Sequence, residues 1–366
     1  MITADLFSPL ALAHGPAWKN RFMLAPLTNA QDHSDGRLSD DELRWLTYRA
    51  EGGFGLVITC AAHVQRQGQA FPCQLGVFSD DHLSGLTRLA AGIKAHGAVS
   101  SMQLHHAGLR ALRELTGSDP VGPSQDAETG TRALSGAEVE QLTEDFIAAA
   151  VRADAAGFDG VELHGAHGYM LGAFLSAETN RRDDAWGGTL ENRSRIVRDI
   201  IAGVRARCRH DFQLGLRLSP ERYGLQMAEM REFAGELLSG GSLDYLDMSL
   251  WDVFKKPVDP AFQDRPLLDW FTDLPRNHTR LGAAGKIRTA ADARRVLEHG
   301  ADFVIVGRAA IVHHDYPKKI AADSDFAPLA LPVSREHLRR ERLSETFIDY
   351  MSSWPGFVAE EETKNP

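Results

Sequence analysis

Cysteine is scarce in this chain: Cys60, Cys73 and Cys208 are the only three in 366 residues, and no CxxC pair occurs. That scarcity rules out a disulfide framework and argues against a cysteine-held zinc or iron-sulfur cluster. Thiols so few and so scattered read as buried or incidental groups in a reducing compartment. An excess of positive charge is also lacking. The formal net charge is -10, which disfavours phosphate backbones and anionic lipid headgroups as partners. No apolar run approaches the roughly 18 residues that a membrane-spanning helix requires. The opening Met1-Ile2-Thr3-Ala4-Asp5 has no basic region leading into an apolar core. The expected setting is the cytoplasm, with neither nucleic acid nor membrane as partner.

What the chain does have is an ordinary globular composition, 43% hydrophobic and 25% charged, long enough to bury a large core. Eight short runs rich in β-branched and apolar residues recur along it, each followed by a longer stretch of helical period. They are Arg21 to Ala25, Gly55 to Thr59, Val99 to Leu104, Gly160 to His164, Gln213 to Leu218, Tyr245 to Ser249, Arg280 to Ala284 and Phe303 to Val306. Between the third and fourth, Val139, Leu142, Phe146, Ile147, Ala150 and Val151 mark a helix that closes on Gly157. Alternating strands and helices imply a parallel sheet with right-handed crossovers, and eight units fit a closed (β/α)8 TIM barrel better than an open sheet.

The reading is therefore an α/β fold with one domain over residues 1–366, a barrel over about 20–323 and an extension over about 324–366. The extension carries Arg335, Arg339, Arg340 and Arg342 ahead of Trp354-Pro355-Gly356-Phe357. It either covers the barrel or docks on a neighbouring subunit of a homo-oligomer. Two connections run long, from His105 to about Ser135 and from Gly165 to about Gly188. Both leave strand C-terminal ends, the catalytic face of a barrel, and are expected to be substrate loops.

The densest chemical signal is Val161-Glu162-Leu163-His164-Gly165-Ala166-His167-Gly168-Tyr169, at the end of the fourth strand. Two imidazole N–H groups converging on one point can hold a substrate carbonyl and stabilise an enolate, and a tyrosine hydroxyl alongside can deliver a proton. The same stretch admits a metal reading, with His164, His167 and Glu162 as ligands of a metal-dependent barrel lyase or hydrolase. It also admits a structural one, in which the imidazoles satisfy backbone groups at a strand end.

That motif is followed by Phe174-Leu175-Ser176, Asn180-Arg181-Arg182-Asp183-Asp184, Trp186-Gly187-Gly188 and Glu191-Asn192-Arg193. The whole resembles the signature of the Old Yellow Enzyme family of ene-reductases, and matching segments run from Asn20 to about Ala310. The resemblance implies FMN as cofactor and NADPH or NADH as reductant. It further implies a two-step reaction in which hydride passes through the flavin to the C=C bond of an α,β-unsaturated carbonyl compound. His164 and His167 would bind the carbonyl oxygen and Tyr169 would protonate the α-carbon.

The segment Asn20 to Asn29 is similar to the one on which the family lays its flavin, implying contacts from Ala25, Pro26 and Leu27 and a hydroxyl from Thr28. Ala61 resembles the small residue beside the ring. Ser101 to Gly108 resembles the third-strand motif whose glutamine, here Gln103, meets the pyrimidine edge of the isoalloxazine; an amide offers that edge both donor and acceptor. Arg217 matches the family's fifth-strand arginine near flavin N1 and O2, with a salt bridge to a neighbouring carboxylate as the alternative. Ala284-Gly285-Lys286 and Gly307-Arg308 resemble the phosphate-binding turns after the last two strands.

The chain also departs from the family. Thr28 stands where the branch with this loop spacing often has cysteine, and Ala30 where it has an aromatic residue, so flavin potential and substrate packing are expected to differ. Trp251-Asp252-Val253-Phe254 has no counterpart in the family pattern; Trp251 lines the pocket or simply packs. His105 and His106 read as structural. Outside enzymes, the rival reading is a flavin-binding sensor or storage protein without turnover.

Overall fold

Eight parallel strands close into a barrel, so the sheet has no free edge. The computed structural model describes residues 5–360; residues 1–4 and the last six of the extension, 361–366, lie outside the described residues. The strands are β1 (Phe22–Leu24), β2 (Leu56–His63), β3 (Val99–His105), β4 (Gly160–Gly165), β5 (Gln213–Leu218), β6 (Tyr245–Ser249), β7 (Arg280–Ala284) and β8 (Phe303–Val306). Each pairs with the next, and β8 returns to β1 through Phe22↔Val304 and Leu24↔Val306. These are the eight expected runs. Only β2 extends well past its expected end, because a register shift between Ile58 and Ala61 breaks the alternation that the run was read from.

Helices α1 (Asp40–Glu51), α2 (Leu83–Lys94), α3 (Gly136–Ala155), α4 (Leu190–Arg207), α5 (Met227–Gly240), α6 (Asp269–Thr272), α7 (Ala290–Glu298) and α8 (Arg308–Val312) follow the strands in turn. The start of α3 is set by a capping box, Ser135 accepting from the Glu138 N–H while the Glu138 carboxylate reaches back to the Ser135 N–H. Two-residue strands at Val121–Gly122 and Arg132–Ala133 pair within the long connection after β3. They were not expected, since two residues carry no period to read.

Alternation sorts the strand side chains. Val161 and Leu163 of β4, Leu214, Leu216 and Leu218 of β5, and Leu246 and Met248 of β6 join the core beneath the helices. Their neighbours Glu162, His164, Gly215, Arg217, Tyr245 and Asp247 turn into the bore. Register then stacks these into levels: Gln103, Glu162, Gly215 and Tyr245 share one, and His164, Arg217 and Asp247 the next toward the mouth. Below them Trp18 plugs the barrel, its indole N–H donating to Gln213 Oε1 at 3.1 Å and its ring 4.8 Å from Phe303. The bore is apolar at the bottom and polar at the mouth.

Of the two placements open to the extension, the structure shows it covering its own barrel. It supplies α10 (Arg335–Arg340) and α11 (Glu345–Ser352), after α9 (Tyr316–Ala322) closes the last unit. Phe347 of α11 meets Trp45 of α1 edge-on at 5.4 Å, and the buried Arg49 donates to the Glu341 carbonyl at 2.7 Å. No helix among the described residues is long and apolar enough to cross a membrane.

Candidate active site

At the C-terminal ends of the strands, two cavities of about 770 and 1170 Å³ share Pro26, Leu27, His167, Arg217, Arg308 and Trp354 as walls and form one space. Thr28, Ala61, Gln103, His164 and Tyr169 border the first part; Ala25, Ala284, Gly285, Lys286 and Gly307 border the second. All fifteen residues singled out in the sequence for flavin or substrate therefore meet at one mouth. The bulge in β2 is what turns Ala61 to the wall, with its carbonyl held by Gln74 Nε2 at 2.6 Å.

Other walls were not foreseen. Tyr350, Met351 and Trp354 come from the extension and Phe71 from the connection after β2, and nothing local in those segments marks them. Conversely, the long connection after β3 provides none of the walls of this space, contrary to its expected role as a substrate loop. It reaches the site through Arg110, which donates to the His167 carbonyl at 2.8 Å and lies 4.8 Å over the Tyr169 ring. The connection after β4 does supply His167 and Tyr169.

A backbone donor assigns the tautomer of His164. The Ala166 N–H donates to His164 Nδ1 at 3.3 Å, so neutral His164 carries its proton on Nε2. Ser249 Oγ receives Arg217 Nη2 at 3.4 Å and lies 2.8 Å from His167 Nε2. The hydroxyl has one proton and two lone pairs, so it serves either tautomer of His167, accepting from Nε2–H or donating to Nε2 and leaving the ring proton on Nδ1. That Nδ1 is 3.4 Å from His164 Nε2. In the Nε2–H tautomer of His167 that Nδ1 accepts from His164; with a carbonyl oxygen beside both rings, the Nδ1–H tautomer lets both imidazoles donate to it. Burial holds both imidazoles below the usual range, His167 at about 3, so both are neutral donors near pH 7.

His167 takes this position with φ of 62°, a strained conformation for a residue with a Cβ. Burial raises the Tyr169 phenol above its ordinary value, which keeps its proton available. His106 is satisfied on both ring nitrogens, by Gln65 at 3.0 Å and by the Gly108 N–H at 3.0 Å, as a structural residue would be. His105 Nδ1 accepts from Gln74, and its ring supports Tyr169 edge-on at 4.4 Å.

The metal reading loses its carboxylate, because Glu162 lies one level below and accepts Gln103 Nε2 at 2.8 Å. The clusters with metal-ligand spacing among the described residues include neither His164 nor His167. Burial, then the neighbouring Asp247, pushes Glu162 up to about 8, and burial pushes Asp247 up to about 6 against the pull of Arg217. Arg217 Nε stands 3.0 Å from Asp247 Oδ2, close enough for an ion pair though misaligned for a hydrogen bond. The salt bridge considered from the sequence is present, and Nη2 still reaches Ser249 and the cavity.

At the far end, Gly285 has φ of 151°, and a Cβ there would meet the Asp252 N at 2.8 Å. Lys286 pairs with Asp252 at 3.1 Å. Neither Arg308 nor Arg288, which also borders the space, has a carboxylate partner among the described residues. Arg288 was missed in the sequence, although it lies two positions beyond Lys286. Two unpartnered cations beside glycine turns suit a phosphate, and a buried amide beside a flat apolar ledge suits a heteroaromatic edge. The residues present fit FMN.

A closed parallel barrel with a cationic turn at one end of its mouth and paired neutral donors at the other defines an enzyme that holds a phosphorylated planar cofactor. The family model described as NADH:flavin oxidoreductase / NADH oxidase matches residues 5–325, and the chain belongs to that family. It is 37% identical over 326 residues to "Probable NADH-dependent flavin oxidoreductase YqiG" of Bacillus subtilis (strain 168), covering 86% of this chain and 87% of the relative. It is 35% identical over 317 residues to an NADPH dehydrogenase of Halalkalibacterium halodurans, covering 84% and 92%. Among solved structures, an old yellow enzyme homologue from Zymomonas mobilis matches with a TM-score of 0.77 at 26% identity, over 92% of this chain and 96% of that one. The chain spans only 38% of a longer relative, the NADH:fumarate oxidoreductase of Klebsiella pneumoniae, so that protein's activity as a whole is not carried over. The protein is an NAD(P)H:flavin oxidoreductase of the Old Yellow Enzyme family, with FMN as its cofactor.

Proposed function

We propose that this enzyme reduces the C=C bond of α,β-unsaturated carbonyl compounds at the expense of NADPH or NADH. The observation that carries the reading is the meeting of two neutral imidazoles at one wall of the cavity, His164 Nε2 and His167 Nδ1 3.4 Å apart, with Tyr169 beside them. Bound FMN supplies the hydride exchange between nicotinamide and alkene. Ala25, Pro26 and Leu27 would form the ledge for its ring, Thr28 and Gln103 would offer polar contacts, and Ala61 would leave it space. Arg217 would place a cation beside it, and Ala284, Gly285, Lys286, Gly307 and Arg308 would hold its phosphate.

His164 and His167 then bind the substrate carbonyl oxygen and stabilise the enolate that develops there, and Tyr169 hands its phenolic proton to the α-carbon. The chain acts as one barrel domain closed over by its own extension. We place it in the cytoplasm, where Cys60, Cys73 and Cys208, all free, stay reduced. The test is the rate of 2-cyclohexenone reduction by His164→Ala. Losing one oxyanion donor should slow that step by roughly 10²–10³-fold while the nicotinamide still reduces the flavin. Alkene reduction at the wild-type rate would overturn the role.

A further inference from the structure

We propose that Arg222, Tyr223 and Trp251 form a second subsite at the rim of the mouth, which binds the adenosine diphosphate half of the nicotinamide reductant. The inference rests on the reading above only in taking NADPH or NADH as the reductant, its nicotinamide ring entering the cavity that His164 and His167 border.

Trp251 is 58% exposed, an unusual state for so large an apolar side chain. It is also strained. The Asp252 N–H donates to the Leu250 carbonyl at 2.7 Å across Trp251, whose φ is 65°. That is a three-residue turn of the rare hand, which a residue with a Cβ adopts at a cost. A second strained turn follows β5. There the Leu225 N–H donates to the Arg222 carbonyl at 2.9 Å, with φ of 69° at Arg222, 54° at Tyr223 and 72° at Gly224. Only the last of these is a glycine. Two separate loops thus hold three strained side chains at the mouth, and burial offsets none of that strain, since all three are exposed.

The loops are anchored from behind. Asp252 holds Lys286 at 3.1 Å and the Phe254 N–H at 3.1 Å. Glu221 holds Lys255 and the Val258 N–H. With those carboxylates engaged, Arg222 has no carboxylate partner among the described residues, and its guanidinium lies 5.0 Å over the Trp251 ring. An aromatic face with an unpaired cation beside it is the recognition chemistry for a purine bearing phosphates.

These residues line a shallow pocket that has His167 and Ser249 in its wall, as the main cavity does. A molecule lying across their outer faces has its other end over His167. Tyr223, its ring 6.4 Å from that of His167, stands at the junction. The reductant has such a second end, anionic and planar. An anionic arm on the alkene substrate would share the chemistry for Arg222, so the test separates the two.

Holoenzyme is assayed with NADH or NADPH, whichever the wild type oxidises, and with reduced nicotinamide mononucleotide, which lacks the adenylate. Arg222→Asn is the first variant, because asparagine tolerates positive φ. It should raise the KM for the dinucleotide roughly tenfold or more with kcat unchanged and leave the mononucleotide constants alone. Trp251→Gly accepts the turn without strain. Calorimetric titration with ADP should show binding to the wild type, loss in Trp251→Gly and partial recovery in Trp251→Phe. Equal losses with both reductants, no change with the dinucleotide, a change confined to a carboxylate-bearing alkene, or ADP binding unaltered in Trp251→Gly would each overturn the subsite. A wild type that oxidises both reductants but leaves 2-cyclohexenone untouched would count against the proposed alkene reduction and not against the subsite.

Discussion

Replacing Glu162 by glutamine should stabilise the protein at alkaline pH and leave it nearly unchanged at acid pH. Glu162 is fully buried, one level below His164, and faces Gln103, Asp247, Arg217 and Tyr245. Its carboxyl titrates at about 8 in the folded chain against an ordinary 4.5. Below the ordinary value both folded and unfolded chains hold the proton, so the group adds no pH dependence. Between the two values the unfolded chain has released it and the folded chain still binds it, so stability falls as pH rises. The fall is about 1.4 kcal/mol per pH unit. From pH 5 to pH 8 it amounts to about 3 kcal/mol, a penalty that a neutral amide of the same shape does not carry.

The amide oxygen at position 162 can still accept the Gln103 amide, now 2.8 Å away, so little of the hydrogen bonding is lost. Asp247, pushed up to about 6, adds a pH dependence common to both proteins that largely cancels in the difference. The assay is denaturant unfolding of wild type and Glu162→Gln, both saturated with FMN, at the two pH values. A stability difference independent of pH, or a variant weaker at both, would refute the burial argument.

Other consequences can be checked separately. Arg308→Ala should weaken FMN binding by roughly tenfold or more, as loss of a hydrogen bond to a charged group does, read as flavin fluorescence recovered on dilution. Lys286→Ala should cost less, since its ammonium is already shared with Asp252; the reverse order would reassign the phosphate cation. Gly215→Ala puts a Cβ 2.1 Å from the Tyr245 ring. The overpacking should cost about 1–3 kcal/mol, and Tyr245→Leu in the same chain should recover part of it; a Gly215→Ala protein as stable as the wild type would contradict the tight level seen in the bore.

The eight strands were legible because a strand is a local object: a short β-branched run bounded by turn residues needs no distant partner to declare itself. Their number and alternation with helices were enough to favour closure. Parity within a strand was legible too, which is why Glu162 and His164 could be read as sharing a face, and His164 to Tyr169 as one cluster, whereas Gln103 and Arg217 were reached through the family resemblance. The capping box at Ser135 and the glycine after α3 belong to the same short-range class. What the tertiary structure alone decided depends on which levels coincide once the barrel closes. Register sets Glu162 beside Gln103 and Arg217 beside Asp247, and only that enclosure raises the two carboxyls. Tyr350, Met351 and Trp354 share walls with Pro26 and Leu27, more than 300 positions away, because the extension folds back over α1. No local pattern encodes a contact at that separation: periods and turn preferences act over a few residues, whereas the shape of the mouth is set by closure, by long-range packing, and by strained turns such as that at Trp251 held in place by both.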